Sequence, residues 1–253
     1  MSPSHVPAAR LAGGPHGAIL GYPRARRRQL ESRAAELARL GVASVSFEGP
    51  VELGGIRVLG KGYAGVVVAA RMRGREVALK IRRTDSPRRG MAHEASMLRA
   101  ANAAGAGPRL ISHSRNFIAM ELVRGEPVGR WAASLRGRGS AAAFRGMARG
   151  TLEACRRLDE AGLDHGELSR ITKHVIVSGA GPVIIDFEGA SRRRRASNVT
   201  SAAQSLYVGS GIARDAARVC RVPPRDQIIG ALREYRRDQS PAGFAGLLGA
   251  LGV

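Results

Sequence analysis

A glycine-rich segment that leads directly into a strand constrains the fold more than any other feature of this sequence. Residues 60–67 read Gly-Lys-Gly-Tyr-Ala-Gly-Val-Val and fit the pattern G-x-G-x-x-G-x-V. A dinucleotide-binding fold needs a helix after such a turn, because the helix N-terminus meets the pyrophosphate. Residues 66–70, Val-Val-Val-Ala-Ala, instead predict a strand. We therefore expect a hairpin tip, where glycines let backbone N–H groups approach phosphate oxygens. The same residues also fit an ordinary glycine-rich hairpin.

The use of lysine narrows the search for phosphate-binding residues. Of the 41 basic residues, only Lys61, Lys80 and Lys173 are lysines, and all the others are arginines. A compact ammonium group meets phosphate differently from a planar guanidinium group. A chain this biased toward arginine is therefore expected to keep lysine where arginine will not serve. All three lysines fall within the motifs described below.

The order of the predicted elements indicates an α+β chain with strands first and helices later. The elements predicted, in chain order, are a helix at 24–41, strands at 56–60, 65–71 and 75–82, a helix at 90–104, strands at 109–112 and 117–123, a helix at 140–161, and strands at 174–178 and 182–187. Glycine and proline at 125–129 break the pattern. We expect a helical N-terminal extension over 1–50, a β-rich lobe over 51–124 and a helical lobe over 125–253.

A lysine ends the strand that follows the predicted hairpin. Residues 77–80, Val-Ala-Leu-Lys, resemble the V-A-I-K signature, in which the lysine binds the α- and β-phosphates of ATP. Such a lysine is oriented by a glutamate from the next helix. Glu94 is the only acidic residue between Asp85 and Glu121. The sequence therefore predicts a Lys80–Glu94 pair.

Three further segments continue the pattern downstream. Residues 117–125, Phe-Ile-Ala-Met-Glu-Leu-Val-Arg-Gly, resemble a strand that leads into a hinge, where an adenine edge bonds to backbone groups near Glu121 and Val123. Residues 164–169, Asp-His-Gly-Glu-Leu-Ser, stand where a catalytic loop of the H-x-D-L type is expected. Residues 183–189, Val-Ile-Ile-Asp-Phe-Glu-Gly, resemble the metal-binding D-F-G motif in its D-F-E form.

These five motifs together resemble a lineage of predicted archaeal serine/threonine kinases related to the RIO and KEOPS-complex kinases, over about Ile56–Phe187. The resemblance implies a two-lobed, protein-kinase-like α+β fold with a β-rich N-lobe and a small, trimmed helical C-lobe. It implies transfer of the γ-phosphoryl group of Mg-ATP between the lobes to a protein hydroxyl, with Asp186 as magnesium ligand and Glu167 orienting the acceptor. The residues implied to bind the nucleotide are Gly60, Lys61, Gly62, Gly65, Val67, Ala78, Lys80, Glu94, Glu121 and Val123.

The catalytic loop departs from the pattern of that lineage. Glu167 replaces the usual aspartate, which moves the carboxylate by one methylene group, and Asp164 is an alternative carboxylate. An asparagine is expected five residues later to hold a second Mg²⁺, but position 172 is threonine. Lys173 and His174 fill the gap before the next strand. We expect Lys173 to contact the γ-phosphate as a point charge, the alternative being an ammonium group that faces solvent.

The segment after Asp186 is short and basic. No A-P-E sequence follows, so the substrate-docking platform of typical protein kinases is missing. Arg192–Arg195 is the densest charge run, and Arg-Arg-Ala-Ser at 194–197 makes Ser197 a candidate phosphorylation site. The run could equally clamp a phosphorylated or nucleic-acid partner.

Charge and composition limit the partners. The net charge is +21, which favours RNA or a ribosomal particle held through phosphates, although the same arginines could form a solvated surface. Aromatic residues make up only 4%, which disfavours base stacking. No apolar run is long enough to span a membrane and no secretory signal is visible, so a cytoplasmic protein is expected. Cys155 and Cys220 lack metal-site spacing, which fits a reducing compartment.

Four functions are consistent with these motifs. The first is an atypical serine/threonine protein kinase whose protein substrate is unknown. The others are a RIO-like ATPase switch acting on RNA or ribosomal particles, a small-molecule kinase, and a non-catalytic ATP-binding pseudokinase. Glu167 and the missing asparagine motivate the last of these.

Overall fold

The computed structural model describes residues 4–253 as an α+β chain that divides into two compact units. The first unit runs to Arg99 and includes Pro108–Leu122, and the second comprises Ala100–Gly107 and Val123–Val253. The α+β class predicted from the sequence is confirmed. The chain leaves the first unit after Leu122, close to the predicted boundary at 124. No helix in the described part of the chain is long and apolar enough to cross a membrane.

The described residues of the first unit form two antiparallel sheets and three helices. The larger sheet has the strand order β1-β2-β6-β7-β9-β8, with β5 also paired to β6, and β3 and β4 form a separate hairpin. The elements are β1 (Ser4–Pro7), α1 (Gly17–Leu20), α2 (Arg27–Leu40), β2 (Val42–Phe47), β3 (Val51–Leu53), β4 (Ile56–Val58), β5 (Gly60–Lys61), β6 (Gly65–Met72), β7 (Arg75–Arg82), α3 (Ala92–Ala103, which begins in this unit), β8 (Leu110–His113) and β9 (Phe117–Glu121).

The β6–β7 hairpin lies in the middle of the larger sheet. Arg73 and Gly74 form its two-residue turn, and their φ angles of 50° and 77° lie in the left-handed region that tight hairpins require. The turn fixes the register of the two strands, because a two-residue loop leaves no slack between them. That register places Val67 opposite Lys80. The hairpin therefore decides which residues of β6 adjoin Lys80.

Residues 4–50 belong to the first unit and contain strands β1 and β2 besides the predicted helix. Strand β2 pairs with β6, with Ser46 opposite Ala69. Helix α2 buries Leu37 fully, and Leu11 joins the same hydrophobic core. The segment is integral because β2 completes the hydrogen bonding of β6 and α2 contributes to its core. Residues 1–3 of the predicted extension lie outside the described part of the chain.

A polar network joins α2 to the turn between β8 and β9. Arg33 is buried and donates to the backbone carbonyl of Arg82 at 2.8 Å. Glu36 accepts hydrogen bonds from Ser114 Oγ at 2.5 Å, from the Asn116 amide at 2.8 Å and from Asn116 Nδ2 at 2.7 Å. Burial alone would raise the pKa of Glu36, but these hydrogen bonds outweigh it, so the pKa lies below its ordinary value.

We expect Glu36→Gln to lower the free energy of unfolding by about 1 kcal/mol at pH 7, because the partly exposed carboxylate accepts three hydrogen bonds. The stabilisation requires the ionised group, so it is complete above the unfolded-state pKa and is lost as pH falls through the lower folded-state pKa. Urea unfolding at pH 7 and at about pH 3 measures both effects. Glu31→Gln, at an exposed position of the same helix, is the control, and an equal loss in that variant would contradict the prediction.

The described residues of the second unit form a helical layer around a three-stranded sheet. The sheet has the order β10-β11-β12 and is antiparallel. Its elements are β10 (Gly125–Pro127), α4 (Val128–Ser134), α5 (Ser140–Glu160), α6 (Ile171–His174), β11 (Val175–Ser178), β12 (Gly181–Ile184), α7 (Asn198–Tyr207), α8 (Gly211–Val219), α9 (Arg225–Arg237) and α10 (Pro241–Leu251).

Helix α5 carries the core of the second unit. Phe144, Leu152 and Leu158 are fully buried on one side of it, at the spacing of an amphipathic helix. The helix packs on α7, where the ring of Phe144 meets the edge of Tyr207 with centroids 6.1 Å apart. This packing gives the loops and hairpin of the second unit a rigid base.

Candidate functional site

The glycine-rich segment forms a hairpin tip, as the sequence predicts. Strand β5 pairs with the start of β6, with Gly60 opposite Val67 and Lys61 opposite Val66. The tip closes through a hydrogen bond from the Gly62 amide to the carbonyl of Gly65 at 2.8 Å. This arrangement excludes the strand-turn-helix geometry of a dinucleotide-binding motif.

Lys80 and Glu94 form a buried ion pair in the first unit. Lys80 Nζ donates to Glu94 Oε1 at 2.7 Å, and the two residues are only 3% and 4% exposed. Lys80 lies on β7, and Glu94 lies in the first turn of α3. Burying two charges costs several kcal/mol per ion, so such a pair persists only where the fold over-determines its geometry. The predicted pair is present.

The third glycine of the motif makes room for the Lys80 side chain. A Cβ atom at Gly65 would lie 2.9 Å from Lys80 Cγ and 3.0 Å from the carbonyl oxygen of Ile81. Both separations are shorter than a normal carbon contact, so any side chain there would displace Lys80 or the strand. Gly60 differs, because a Cβ atom there would meet nothing within 4 Å. Lack of space therefore requires glycine at position 65 of the motif but not at position 60.

The other predicted nucleotide-binding residues occupy ordinary sheet and boundary positions. Ala78 is buried on β7 opposite Met120. Glu121 ends β9 and is exposed, and its carboxylate accepts a hydrogen bond from the Arg109 amide at 3.2 Å. Val123 is the first residue of the second unit after β9. The predicted hinge therefore coincides with the point where the chain passes from one unit to the other.

Lys61 contacts an N-terminal residue. Its side chain is exposed, with Nζ lying 5.2 Å from the centroid of the Tyr22 ring. Arg83 faces the same ring at 5.5 Å and donates to the Gly62 carbonyl at 3.3 Å. The N-terminal segment, to which the sequence assigns no role at the hairpin, thus braces its tip through cation–π contacts.

A hairpin of the second unit places His174 beside the segment that carries Asp186. Val175 of β11 pairs with Ile184 of β12, and the Ile185 amide donates to the His174 carbonyl at 2.9 Å. The antiparallel pairing therefore extends by one residue beyond the start of β11 and the end of β12. Asp186 follows with φ 67° and ψ 74°, in the left-handed region that only Gly, Asn and Asp enter at modest cost. Strain of about 1–3 kcal/mol at one residue is typical of functional sites.

Glu167 lies against this hairpin. Gly166 has a φ of +84°, which turns the loop, and a Cβ atom at Gly189 would lie 3.3 Å from Glu167 Cγ. Glu167 Oε2 and His174 Nε2 are 3.9 Å apart. One ligand atom each from Glu167, His174 and Asp186 lies within 4.8 Å of the other two. The structure therefore brings the predicted pair Glu167 and Asp186 together, with a histidine between them that the sequence does not single out.

His165 supports this cluster from inside. It is fully buried, its Nε2 lies 3.0 Å from the Ile185 carbonyl, and its ring meets the Phe187 ring with centroids 5.0 Å apart. Burial lowers the pKa of His165 to about 4, although the Ile185 carbonyl opposes this. The ring is neutral at neutral pH and donates from Nε2. Asn198 fixes the loop from the other side, because its Oδ1 accepts from the His165 amide at 2.8 Å.

Asp164 already has a structural partner. Its carboxylate accepts from Arg194 Nε at 2.7 Å, and its backbone pairs with Ser191. Arg194, which the sequence places in the basic run, also donates to the Gly189 carbonyl at 2.6 Å. Arg194 therefore links the basic segment to the loop that contains Asp164 through hydrogen bonds. Ser197, the candidate phosphorylation site, is exposed immediately before α7.

The sequence singles out Lys173 as a site residue, but the structure places its neighbour His174 beside the carboxylates instead. Lys173 is exposed, and no hydrogen bond or ion pair joins it to other residues of the described chain. His174 is buried and belongs to the carboxylate cluster. The available signal was its position directly before β11, where its backbone pairs with Ile185, the neighbour of Asp186.

The first unit also carries a basic cavity that no motif indicates. Its volume is about 680 Å³. Glu36 is its one carboxylate, and its guanidinium groups are those of Arg28, Arg33, Arg39, Arg82 and Arg115. Guanidinium groups are well suited to phosphate oxygens. These side chains give the cavity a positively charged lining.

No protein-family model matches this chain, and no curated protein matches it significantly.

Substitutions that break the Lys80–Glu94 pair test whether the two charges are buried, because breaking a buried pair costs more stability than breaking an exposed one. We expect Glu94→Gln to lower the free energy of unfolding by about 3 kcal/mol, because the buried ammonium group of Lys80 loses the charge of the carboxylate that accepts its 2.7 Å hydrogen bond. The double variant Lys80→Met/Glu94→Leu should recover part of this loss, since it removes both charges. Denaturant unfolding measures both. Glu153→Gln breaks an exposed ion pair with Arg149 and should cost less than about 0.5 kcal/mol. Similar losses at Glu94 and Glu153 would contradict the assignment.

Proposed function

We propose that this protein is an atypical serine/threonine protein kinase that uses Mg-ATP, similar to the RIO and KEOPS-complex kinases. The observation that carries the proposal is the buried Lys80–Glu94 ion pair, at 2.7 Å, on the strand that follows a glycine-rich hairpin. An ordinary hairpin strand has no reason to bury a lysine. A phosphate-binding lysine must instead be held in one position, and a buried glutamate does this.

The first unit supplies the phosphate-binding groups in this proposal. Lys80 binds the α- and β-phosphates, and Glu94 holds its ammonium group in place. Gly60, Gly62 and Gly65 allow the hairpin backbone to cover the phosphates, and Lys61 adds a positive charge at the tip. The backbone near the end of β9 binds the adenine edge. These roles combine positioning and electrostatic stabilisation, which provide most of the catalysis of phosphoryl transfer.

The second unit supplies the acidic groups. Asp186 and Glu167 offer carboxylate oxygens, which are the ligands that Mg²⁺ prefers, so this donor set fits the ion that the proposal requires. A bound Mg²⁺ neutralises charge on the phosphates. Glu167 orients the acceptor hydroxyl, and Asp186, which has a left-handed backbone conformation, supplies the metal ligand. His165 fixes the loop between them, and Lys173 is free to meet the γ-phosphate.

Asp186→Asn is the decisive variant. We expect it to reduce phosphoryl transfer by about 10²-fold or more, because the metal ligand loses its charge. Asparagine tolerates the left-handed conformation, so the fold should remain intact. The full chain is incubated with γ-labelled ATP and Mg²⁺, and label is followed in protein and in free phosphate. Asp226→Asn, at an exposed position of α9, is the control and should keep the wild-type rate.

The products of this reaction separate the alternatives. Label on the wild-type protein or on an added protein acceptor supports the kinase. Label only in free phosphate, stimulated by RNA, supports an ATPase switch, for which the basic cavity lined by Arg33 and Arg82 is the supporting observation. Label on a small hydroxyl compound supports a small-molecule kinase. ATP binding with no transfer by wild-type protein would identify a pseudokinase, and equal rates in Asp186→Asn and wild type would remove the metal assignment.

Two of the three glycines of the hairpin, Gly65 and Gly60, give a second test. We expect Gly65→Ala to weaken ATP binding about tenfold or more, because its methyl group would collide with Lys80. Gly60→Ala should change binding less than about threefold, since the added methyl group meets no neighbour. Equilibrium titration with a fluorescent ATP analogue measures both affinities. A larger effect at Gly60 than at Gly65 would contradict the proposed placement of Lys80.

A further inference from the structure

The imidazole of His174 is buried beside two carboxylates of the second unit. The residue is 6% exposed, and its Nδ1 has no hydrogen-bond partner among the described residues. Its Nε2 lies 3.9 Å from Glu167 Oε2, which is too long for a hydrogen bond. Buried polar atoms are usually hydrogen-bonded, and here a nitrogen without such a bond belongs to a ring whose Nε2 faces a carboxylate. The surroundings thus indicate a ligand that it binds.

We propose that His174, Glu167 and Asp186 form a binding site for a divalent first-row transition ion such as Mn²⁺. The inference rests on the proposed function for its role in catalysis, but the binding itself needs no nucleotide. The site lies entirely within the second unit and gives His174 the place of the asparagine that the motif leads one to expect. Histidine is thereby the residue that sets which metal the site prefers.

The geometry of the cluster suits a single ion. One ligand atom from each residue lies within 4.8 Å of the others. Metal–ligand bonds of about 2.0–2.2 Å separate neighbouring ligand atoms by roughly 3–4.4 Å, so a small movement of the side chains closes the site. The β11–β12 register fixes His174 beside Ile185, and the left-handed backbone at Asp186 fixes the third ligand. The side chain of Glu167 is 35% exposed, so it has room to adjust.

The ligand atoms of the site determine which metal ion it prefers. Mg²⁺ prefers oxygen ligands and is usually held by carboxylates, phosphates and water. An imidazole nitrogen beside carboxylates favours transition ions, whose affinity for nitrogen donors exceeds that of Mg²⁺. Mg²⁺ can still bind through the two carboxylates when phosphates are present. His174 therefore gives the protein affinity for Mn²⁺ without nucleotide, and Mn²⁺ should bind in preference to Mg²⁺.

A structural role for His174 makes a different prediction. Its ring packs against the ring of His165, with centroids 5.2 Å apart and planes at 68°. Phenylalanine has a similar shape and keeps this packing, but it has no lone pair to offer a metal. His174→Phe thus removes the ligand while retaining the volume. His113→Phe, on β8 of the first unit, is the matched control.

The test measures metal binding by the full chain in the absence of nucleotide. Mn²⁺ is titrated, and free Mn²⁺ is counted by its electron paramagnetic resonance signal. We expect wild type and His113→Phe to bind one ion with equal affinity, and His174→Phe to bind at least about tenfold more weakly. His174→Asn should also lose Mn²⁺ affinity, and excess Mg²⁺ should compete less with Mn²⁺ in wild type than in this variant. Circular dichroism checks that each variant is folded.

A second measurement keeps the inference testable if both His174 variants unfold. Imidazole nitrogens of wild-type protein are observed by ¹⁵N NMR as Mn²⁺ is added, and the His174 resonance should broaden before those of His113 and His93. Equal Mn²⁺ affinity in wild type and His174→Phe, no Mn²⁺ binding by wild type at millimolar concentration, or no selective broadening at His174 would overturn the inference. Mn²⁺ binding through His174 with no phosphoryl transfer would instead leave the site intact and remove the proposed function. Transfer without His174-dependent binding would do the reverse.

Discussion

The buried Lys80–Glu94 ion pair is the constraint on which the first unit depends. Two charges can stay inside a protein only if their partners are held in place, so the elements that carry them cannot move independently. Strand β7 must keep its register with β6, and the first turn of α3 must stay against that strand. Gly65 must remain without a side chain, because Lys80 occupies the space where its Cβ atom would lie. Helix position and the glycine at position 65 therefore follow from one electrostatic requirement, while the register is set by the hairpin turn.

In the second unit, it is the backbone geometry that brings the polar side chains together. The antiparallel pairing of β11 and β12 continues to His174 and Ile185, and Asp186 then turns into a left-handed conformation. Glycines at 166 and 189 let the Glu167 loop approach the same place. Three polar side chains, Glu167, His174 and Asp186, are thus brought together by the backbone. The strain at Asp186 is tolerated because the surrounding hydrogen bonds and the buried His165 ring hold the loop in place.

Most of the secondary structure could be predicted from the sequence, because the periodicity of apolar residues was clear. The helix predicted at 140–161 is observed at Ser140–Glu160, and the strands predicted at 65–71 and 75–82 are observed at Gly65–Met72 and Arg75–Arg82. The N-terminal segment could not be placed in the same way. Its strand β2 pairs with β6, whose residues lie more than twenty positions later, and local pattern carries no information on such a pairing.

The sequence was enough to predict the glycine hairpin, because strand-forming residues follow the glycines. It was also enough to predict the Lys80–Glu94 pair, from the resemblance to the V-A-I-K signature and the lack of another acidic residue between Asp85 and Glu121. Glu167 and Asp186 were found through their resemblance to two further motifs. Only the tertiary structure decided between Lys173 and His174. The two are adjacent in sequence and equally polar, but one faces solvent and the other is buried beside the carboxylates. That choice depends on the direction in which the last residue of α6 enters β11, which is set by pairing with β12 and not by the residues themselves.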